Sequence, residues 1–241
     1  MKRLRWLWVM PYSNIRHFLR LVGLIGFTYY SIGISFAGEM ICGQLNGHVI
    51  EVQREYIAFW AEYEGKSSWE KGFTDNKKGC GANLVSLPLV MTWPGMKPAN
   101  HTTFFVQALE FEGLSVTLRP RRIPGTNLRA LLEFYLSSTP LEWKVRARFD
   151  ETLGLFYVDG AHRVFAGDKS KYYWLENDSE ISVVIECLWL ARENRLYTCE
   201  ASYILKEVQA SLIIRFTPEK VKDWKEIIGV VEKFVADKIK N

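Results

Sequence analysis

Histidine and cysteine are scarce in this sequence, four of each, and no catalytic signature accompanies them. G-x-S-x-G, H-E-x-x-H and a phosphate-binding loop are all missing, so serine hydrolases, zinc proteases and P-loop enzymes lose their sequence support. Without a C-x-x-C pair, a structural zinc site has no closely spaced ligands. His48, His101 and His162 each stand away from any second ligand at metal spacing. Paired carboxylates can hydrolyse sugars. Glu62, Glu64, Glu70, Glu110 and Glu112 qualify for that role by residue type alone. The chain therefore reads as a non-enzyme, with no catalytic residue, metal or cofactor assigned. Low-complexity segments and internal repeats are also absent.

Acid is missing from one region. Residues 1–37 hold five of the 31 basic residues and none of the 27 acids. The segment opens MKRLRWLWVMPYSNIRHFLR and continues LVGLIGFTYYSIGISFA, seventeen residues without charge. Ser35-Phe36-Ala37 before Gly38 is a small-x-small cleavage site. Basic region, apolar region and small-residue site together make a secretory signal, residues 1–37. The apolar run is short of the roughly 20 residues a spanning helix needs. An uncleaved anchor is the other reading. Met40-Ile41 precede Cys42 where a lipidated cysteine would want small residues, so no lipoprotein is expected. From Gly38 onward, 26 basic residues face 27 acids, a net charge of −1. The basic balance of the whole chain belongs to the leader, and a nucleic-acid partner loses its global support.

The remaining chain, 38–241, is long enough for one α+β domain, or for two halves of similar size. Short β-branched and aromatic runs predict strands over 47–53, 84–93, 102–110, 114–118, 145–149, 153–158, 171–175 and 209–216. Glu112-Gly113 suggests a hairpin between two of them. Residues 54–60 can turn helical briefly, residues 127–136 are more helical, and Gly160-Ala161-His162 reads as a loop. The C-terminus is the clearest helix. Thr217 can cap it, Pro218 suits its first position, and Val221, Trp224, Ile227, Ile228, Val231, Phe234 and Val235 fall on one face. Many short strands with a packing helix predict a largely antiparallel sheet and a C-terminal amphipathic helix packed on it.

Two cysteines flank a short charged segment in IECLWLARENRLYTCEASYI, residues 185–204. If Arg192, Glu193 and Asn194 form the loop, Ala191 faces Arg195, Trp189 faces Tyr197, and Cys187 faces Cys199. Facing residues of an antiparallel pair lie about 4.5–5.5 Å apart at Cα, within reach of a disulfide. Two packed free thiols are the alternative. If Cys187 bonds Cys199, Cys42 is left with Cys80.

The polar loop from Glu62 to Ala82 holds Tyr63, Trp69 and Phe73 among charges. Tyrosine and tryptophan are enriched at binding hot spots. Glu62, Tyr63, Glu64, Trp69 and Glu70 are the candidate partner-binding residues. Aromatics folded back onto the core are the competing reading.

Cys187, the hairpin, Cys199, a strand over Ser211–Phe216, then Trp224 and Ile227 on a terminal helix form a further pattern. It resembles the C-terminal signature of small exported Gram-negative proteins of unassigned activity. Many of those sit beside type VI secretion toxin genes, and several are regarded as periplasmic immunity proteins. His48–Tyr56 (HVIEVQREY) and Leu84–Pro98, with Trp93-Pro94-Gly95-Met96, resemble their N-terminal half. Gln53 stands where that family is expected to have proline. The resemblance implies an antiparallel α+β fold, a periplasmic location and a protein partner; with export, the expected disulfides and the lack of catalytic residues, the leading expectation is a periplasmic immunity protein that binds a cognate toxin of the cell envelope. The resemblance transfers no site residue beyond the Cys187/Cys199 pair. A periplasmic carboxylate hydrolase and a membrane-anchored envelope scaffold are the alternatives.

Overall fold

The computed structural model describes residues 38–121, 128–137, 146–161 and 167–240. The strands are β1 Met40–Leu45, β2 His48–Gln53, β3 Glu62–Tyr63, β4 Leu84–Met91, β5 Leu114–Pro120, β6 Arg148–Asp150, β7 Leu155–Ala161, β8 Lys169–Asn177, β9 Glu180–Leu190, β10 Arg195–Leu205, β11 Ala210–Phe216 and β12 Ile239–Lys240. The helices are α1 His101–Gln107, α2 Leu128–Leu136 and α3 Trp224–Ala236. Among the described residues the strands form two antiparallel sheets. One has the order β1-β2-β12, the other β3-β4-β5-β11-β10-β9-β8-β7-β6.

Alternation along the strands sets the layers. Leu87, Leu89, Leu118, Leu212, Ile214, Val183 and Ile185 line one face of the large sheet. The small sheet and α3 cover that face, contributing Leu45, Ile50 and Val52, and Trp224, Ile227, Val231 and Val235. The opposite face is covered in two places. Leu128, Leu132 and Leu136 of α2 pack on Val158, Tyr172, Trp174 and Val184. Ala58, Ala99 and Phe111, with Phe104 of α1, pack on Val90 of β4. Between these patches lie Ser115, Thr117, Ser211, Arg215, Glu200 and Ser202, the polar residues of the same strands.

The α+β class, the antiparallel sheet and the packed C-terminal helix match the sequence expectation. Several boundaries do not. Residues 102–110 form no strand. Asn100 accepts hydrogen bonds from the Thr102 and Thr103 amides, at 2.8 and 3.4 Å, and caps α1 instead. No hairpin forms at Glu112-Gly113, because β5 pairs with β4 and β11. A short strand is present at Arg148–Asp150, and the start of the expected 145–149 run lies outside the described residues. Residues 54–60 give only a single 3₁₀ turn, Arg54–Tyr56. Gly160 and Ala161 belong to β7, and His162 lies outside the described residues. Pro218–Asp223 is a 3₁₀ turn ahead of α3, and Thr217 caps no backbone amide. The tighter turn stacks residues three apart, which brings Val221 and Trp224 inward together. β1, which the sequence reading missed, pairs with β2 through a turn with positive φ at both Asn46 and Gly47.

Both disulfides are present: Cys42–Cys80 with Cα atoms 4.7 Å apart, and Cys187–Cys199 at 4.0 Å. The hairpin reaches the second one by a different route from the one expected. Its turn has four residues, Ala191–Asn194, so Leu190 faces Arg195 and Trp189 faces Leu196. A bulge between Leu196 and Thr198 then absorbs Tyr197 and restores Cys187 opposite Cys199.

Candidate functional site

The chain leaving β2 is pinned before it carries aromatics to the surface. The Arg54 guanidinium donates to the Ile57 and Phe59 carbonyls at 3.0 and 3.1 Å. The Tyr56 hydroxyl donates to the Met96 carbonyl at 3.0 Å. Phe59 and Trp60 follow, 47% and 48% exposed. Trp60 lies 5.7 Å from Phe73, ring to ring, and Phe59 packs edge-on against Phe105 at 5.2 Å.

The next segment is a built loop. Asn76 organises it: its side-chain oxygen accepts from the Lys66 amide at 3.0 Å, and its nitrogen donates to the Lys66 carbonyl at 2.7 Å. Gly65 makes room, since a Cβ there would sit 2.4 Å from the Asn76 oxygen. The Glu70 carboxylate accepts from the Ser67 amide at 2.6 Å, which holds its pKa below the usual value. Cys42–Cys80 and the Gln44 amide bond to the Ala82 carbonyl tie the loop's end to β1.

The candidate partner-binding residues separate within this frame. Trp69 stands at the loop surface, 96% exposed. Glu64 and Glu70 are exposed, and Glu64 accepts from the Asn83 amide nitrogen at 2.9 Å. Glu62 is half-buried. Tyr63 is buried, its hydroxyl donating to the Cys42 carbonyl at 2.8 Å, so its ring belongs to the core. Trp60, Glu62, Trp69, Phe73 and Arg119 border an open cleft of about 920 Å³. The sequence reading missed Phe59 and Trp60. Their signal was an adjacent aromatic pair just ahead of the polar loop.

The carboxylates named from sequence are held in other roles. Glu110 pairs with Arg195, and Glu112 lies 3.2 Å from the Lys220 ammonium. A general acid needs a raised pKa, and Glu70 is shifted the other way. Two carboxylates do face each other, Glu186 and Glu200, paired across β9 and β10. Glu200 accepts from Arg215 at 2.6 Å, and Glu186 accepts from the Ser170 hydroxyl at 3.0 Å. Among the described residues no group of three His, Cys, Asp or Glu side chains is placed to hold a metal. No helix there is long and apolar enough to cross a membrane.

The chain's architecture has a solved counterpart. The fold is shared with a bacterial immunity protein. That protein is Smlt3025, an immunity protein of the Stenotrophomonas maltophilia type IV secretion system. The likeness covers 84% of this chain and 94% of that one, with a TM-score of 0.51 and 14% sequence identity. At that identity it fixes the architecture and transfers no residue. No protein-family model matches the sequence, and no curated protein does.

Proposed function

We propose that this protein is an exported immunity protein that binds and neutralises a cognate toxin acting on the cell envelope. The fold likeness to Smlt3025, spanning nearly all of that chain, carries the reading. Two disulfides support an oxidising compartment, the periplasm. The basic and apolar leader supports export, with cleavage after Ala37. The sequence resemblance points to a type VI system, whereas the structural counterpart serves a type IV system. The common content is a toxin delivered by a secretion machine. The Trp60–Trp69 cleft is the proposed contact surface, with Glu62, Glu64 and Glu70 on its rim. Complexes of this kind bury about 1,200–2,000 Å² in total.

The test is periplasmic co-expression with the product of the adjacent reading frame, scoring survival and co-purification. Rescue with a stoichiometric complex supports the reading. A toxic neighbour that is neither bound nor neutralised removes that pairing. In a complex that forms, Trp60→Ala with Trp69→Ala should weaken affinity by roughly 30-fold or more. Unchanged affinity would move the contact surface elsewhere.

A further inference from the structure

The two disulfides differ in what an incoming thiol can reach. Cys187 and Cys199 are both fully buried in the core, with Phe216 opposite Cys199 on β11. Cys42 is buried in β1, but Cys80 is exposed at the return of the Glu62–Ala82 loop. Gly79 and Gly81 flank it, so neither neighbouring residue has a side chain to cover the sulfur. The Lys77 ammonium lies 3.7 Å from where a Gly81 Cβ would be, beside Cys80. A cation there attracts an attacking thiolate and favours a released one. Acids nearby are engaged elsewhere. Glu51, opposite Cys42 in the β1–β2 ladder, lies 3.7 Å from the Lys240 ammonium, and Glu64 accepts from Asn83.

What the exposed bridge holds can be read from the bonds around it. Asn76 and Glu70 bond within the loop, to Lys66 and Ser67. At the far end the Gln44 amide takes the Ala82 carbonyl, and the Glu64 amide takes the Asn83 carbonyl. Residues 77–81 run between these two anchors. The Ala82 amide closes a turn onto the Gly79 carbonyl at 2.9 Å. Beyond that turn, among the described residues, only the bridge and the Tyr63 hydroxyl hold this limb to the fold. The hydroxyl donates to the Cys42 carbonyl and accepts from the Gly79 amide, so it joins the same two chains as the bridge. Lys78 and Asn76 line the Trp60–Trp69 cleft, which makes this limb one of its walls. A limb with so few bonds opens locally at low cost once its covalent link is gone.

We propose that Cys42–Cys80 is a redox-responsive tether: a dithiol oxidoreductase opens it at Cys80 and loosens the wall of the cleft, while Cys187–Cys199 stays closed. The attacking thiolate bonds to the Cys80 sulfur as the Cys42–Cys80 bond breaks, and its electron pair leaves on Cys42, which takes a proton from water. The second thiolate of the oxidoreductase then attacks its own mixed-disulfide sulfur. It closes the reagent's disulfide and releases Cys80 as a thiolate beside Lys77. The cystine is reduced by two electrons and the dithiol is oxidised by two. The effect on partner binding rests on the immunity reading; the opening itself does not.

The experiment treats the native protein, both bridges closed, with dithiothreitol, traps thiols by alkylation over time and maps them by mass. Cys42–Cys80 should open at least roughly tenfold faster than Cys187–Cys199. Lys77→Glu, an exposed change, should slow that opening several-fold and leave the other bridge unaffected. Amide exchange on the singly opened protein should rise across 77–81 and leave β7–β11 protected. Equal opening rates, or Cys187–Cys199 opening first, overturn the proposal. So does a selectively opened bridge with unchanged exchange at 77–81, which would make the Tyr63 hydroxyl a sufficient anchor. Loss of protection in β7–β11 as well would make the bridge a staple of the whole fold and equally overturn it. None of these readouts needs a toxin, so a failed rescue with the adjacent reading frame leaves them standing. Where a complex does form, the opened protein should bind more weakly than the closed one, and equal affinity would remove the tether's role in binding.

Discussion

The two disulfides close two differently built regions. From β7 to β11 each strand pairs with its sequence neighbour, and Cys187–Cys199 joins strands that the β9–β10 ladder already holds together. The region from β1 to β5 is assembled from distant parts. β2 takes β12 as its second neighbour, β5 takes β11, and the long loop after β3 returns through Cys42–Cys80. One bridge is fully buried and spans 12 residues; the other spans 38 and has Cys80 exposed. A covalent link constrains most where backbone pairing constrains least. The N-terminal region should therefore lean more heavily on its bridge.

The strongest way to break this contrast is to remove what the regions share. Trp224 packs in the core common to both sheets, and its indole N–H donates to the Leu153 carbonyl at 2.9 Å. Trp224→Ala should cost about 3–5 kcal/mol and lower both regions in one denaturant transition. Two separated transitions would show the regions to be independent. Next come the bridges. Loop-closure entropy gives about 4 kcal/mol for the 38-residue separation and about 3 kcal/mol for the 12-residue one. Urea midpoints of the Cys42→Ala/Cys80→Ala and Cys187→Ala/Cys199→Ala proteins should fall in that order. The reverse order would mean that buried packing around Cys187 outweighs chain entropy.

Smaller effects sharpen the contrast locally. Asn100→Ala should cost about 1 kcal/mol and increase amide exchange in α1, leaving β7–β11 unchanged. In the C-terminal region, burial first and then the Asp150 and Asp159 charges push the Tyr173 phenol up to about 12. The folded state then holds that proton more tightly than the unfolded chain does. The associated stability is complete below about pH 10 and is lost as pH rises through 12. Tyr173→Phe should flatten the alkaline decline in denaturation midpoints and leave the neutral slope unchanged.

The same contrast marks what could be read from sequence. The C-terminal strands and α3 were legible because their partners are near in sequence and their apolar runs are long enough to outlast the irregularities at Glu176 and Tyr197. The loop's aromatics were legible as a group, and which of them stays at the surface was not. α1 was not legible. Phe104, Phe105 and Val106 have strand propensity, and only the Asn100 cap and the packing of Phe104 on Phe111 decide for helix. Tyr63 and Trp69 look alike in sequence. The long-range bond from Tyr63 to the Cys42 carbonyl is what separates core from surface.

The bulge at Tyr197 gives the β9–β10 hairpin a second possible geometry. A three-residue turn without the bulge leaves Cys187 opposite Cys199 just as the observed four-residue turn does. The bridge is therefore a pivot, and everything beyond it can slip by one residue without disturbing the sheet below. In the slipped state Arg195 and Leu196 exchange faces. That move pulls Leu196 off the core and separates Arg195 from Glu110. These two contacts hold a potential conformational exchange in one state. Leu196→Ser should release it as doubled indole resonances from Trp189, confined to the tip of one hairpin.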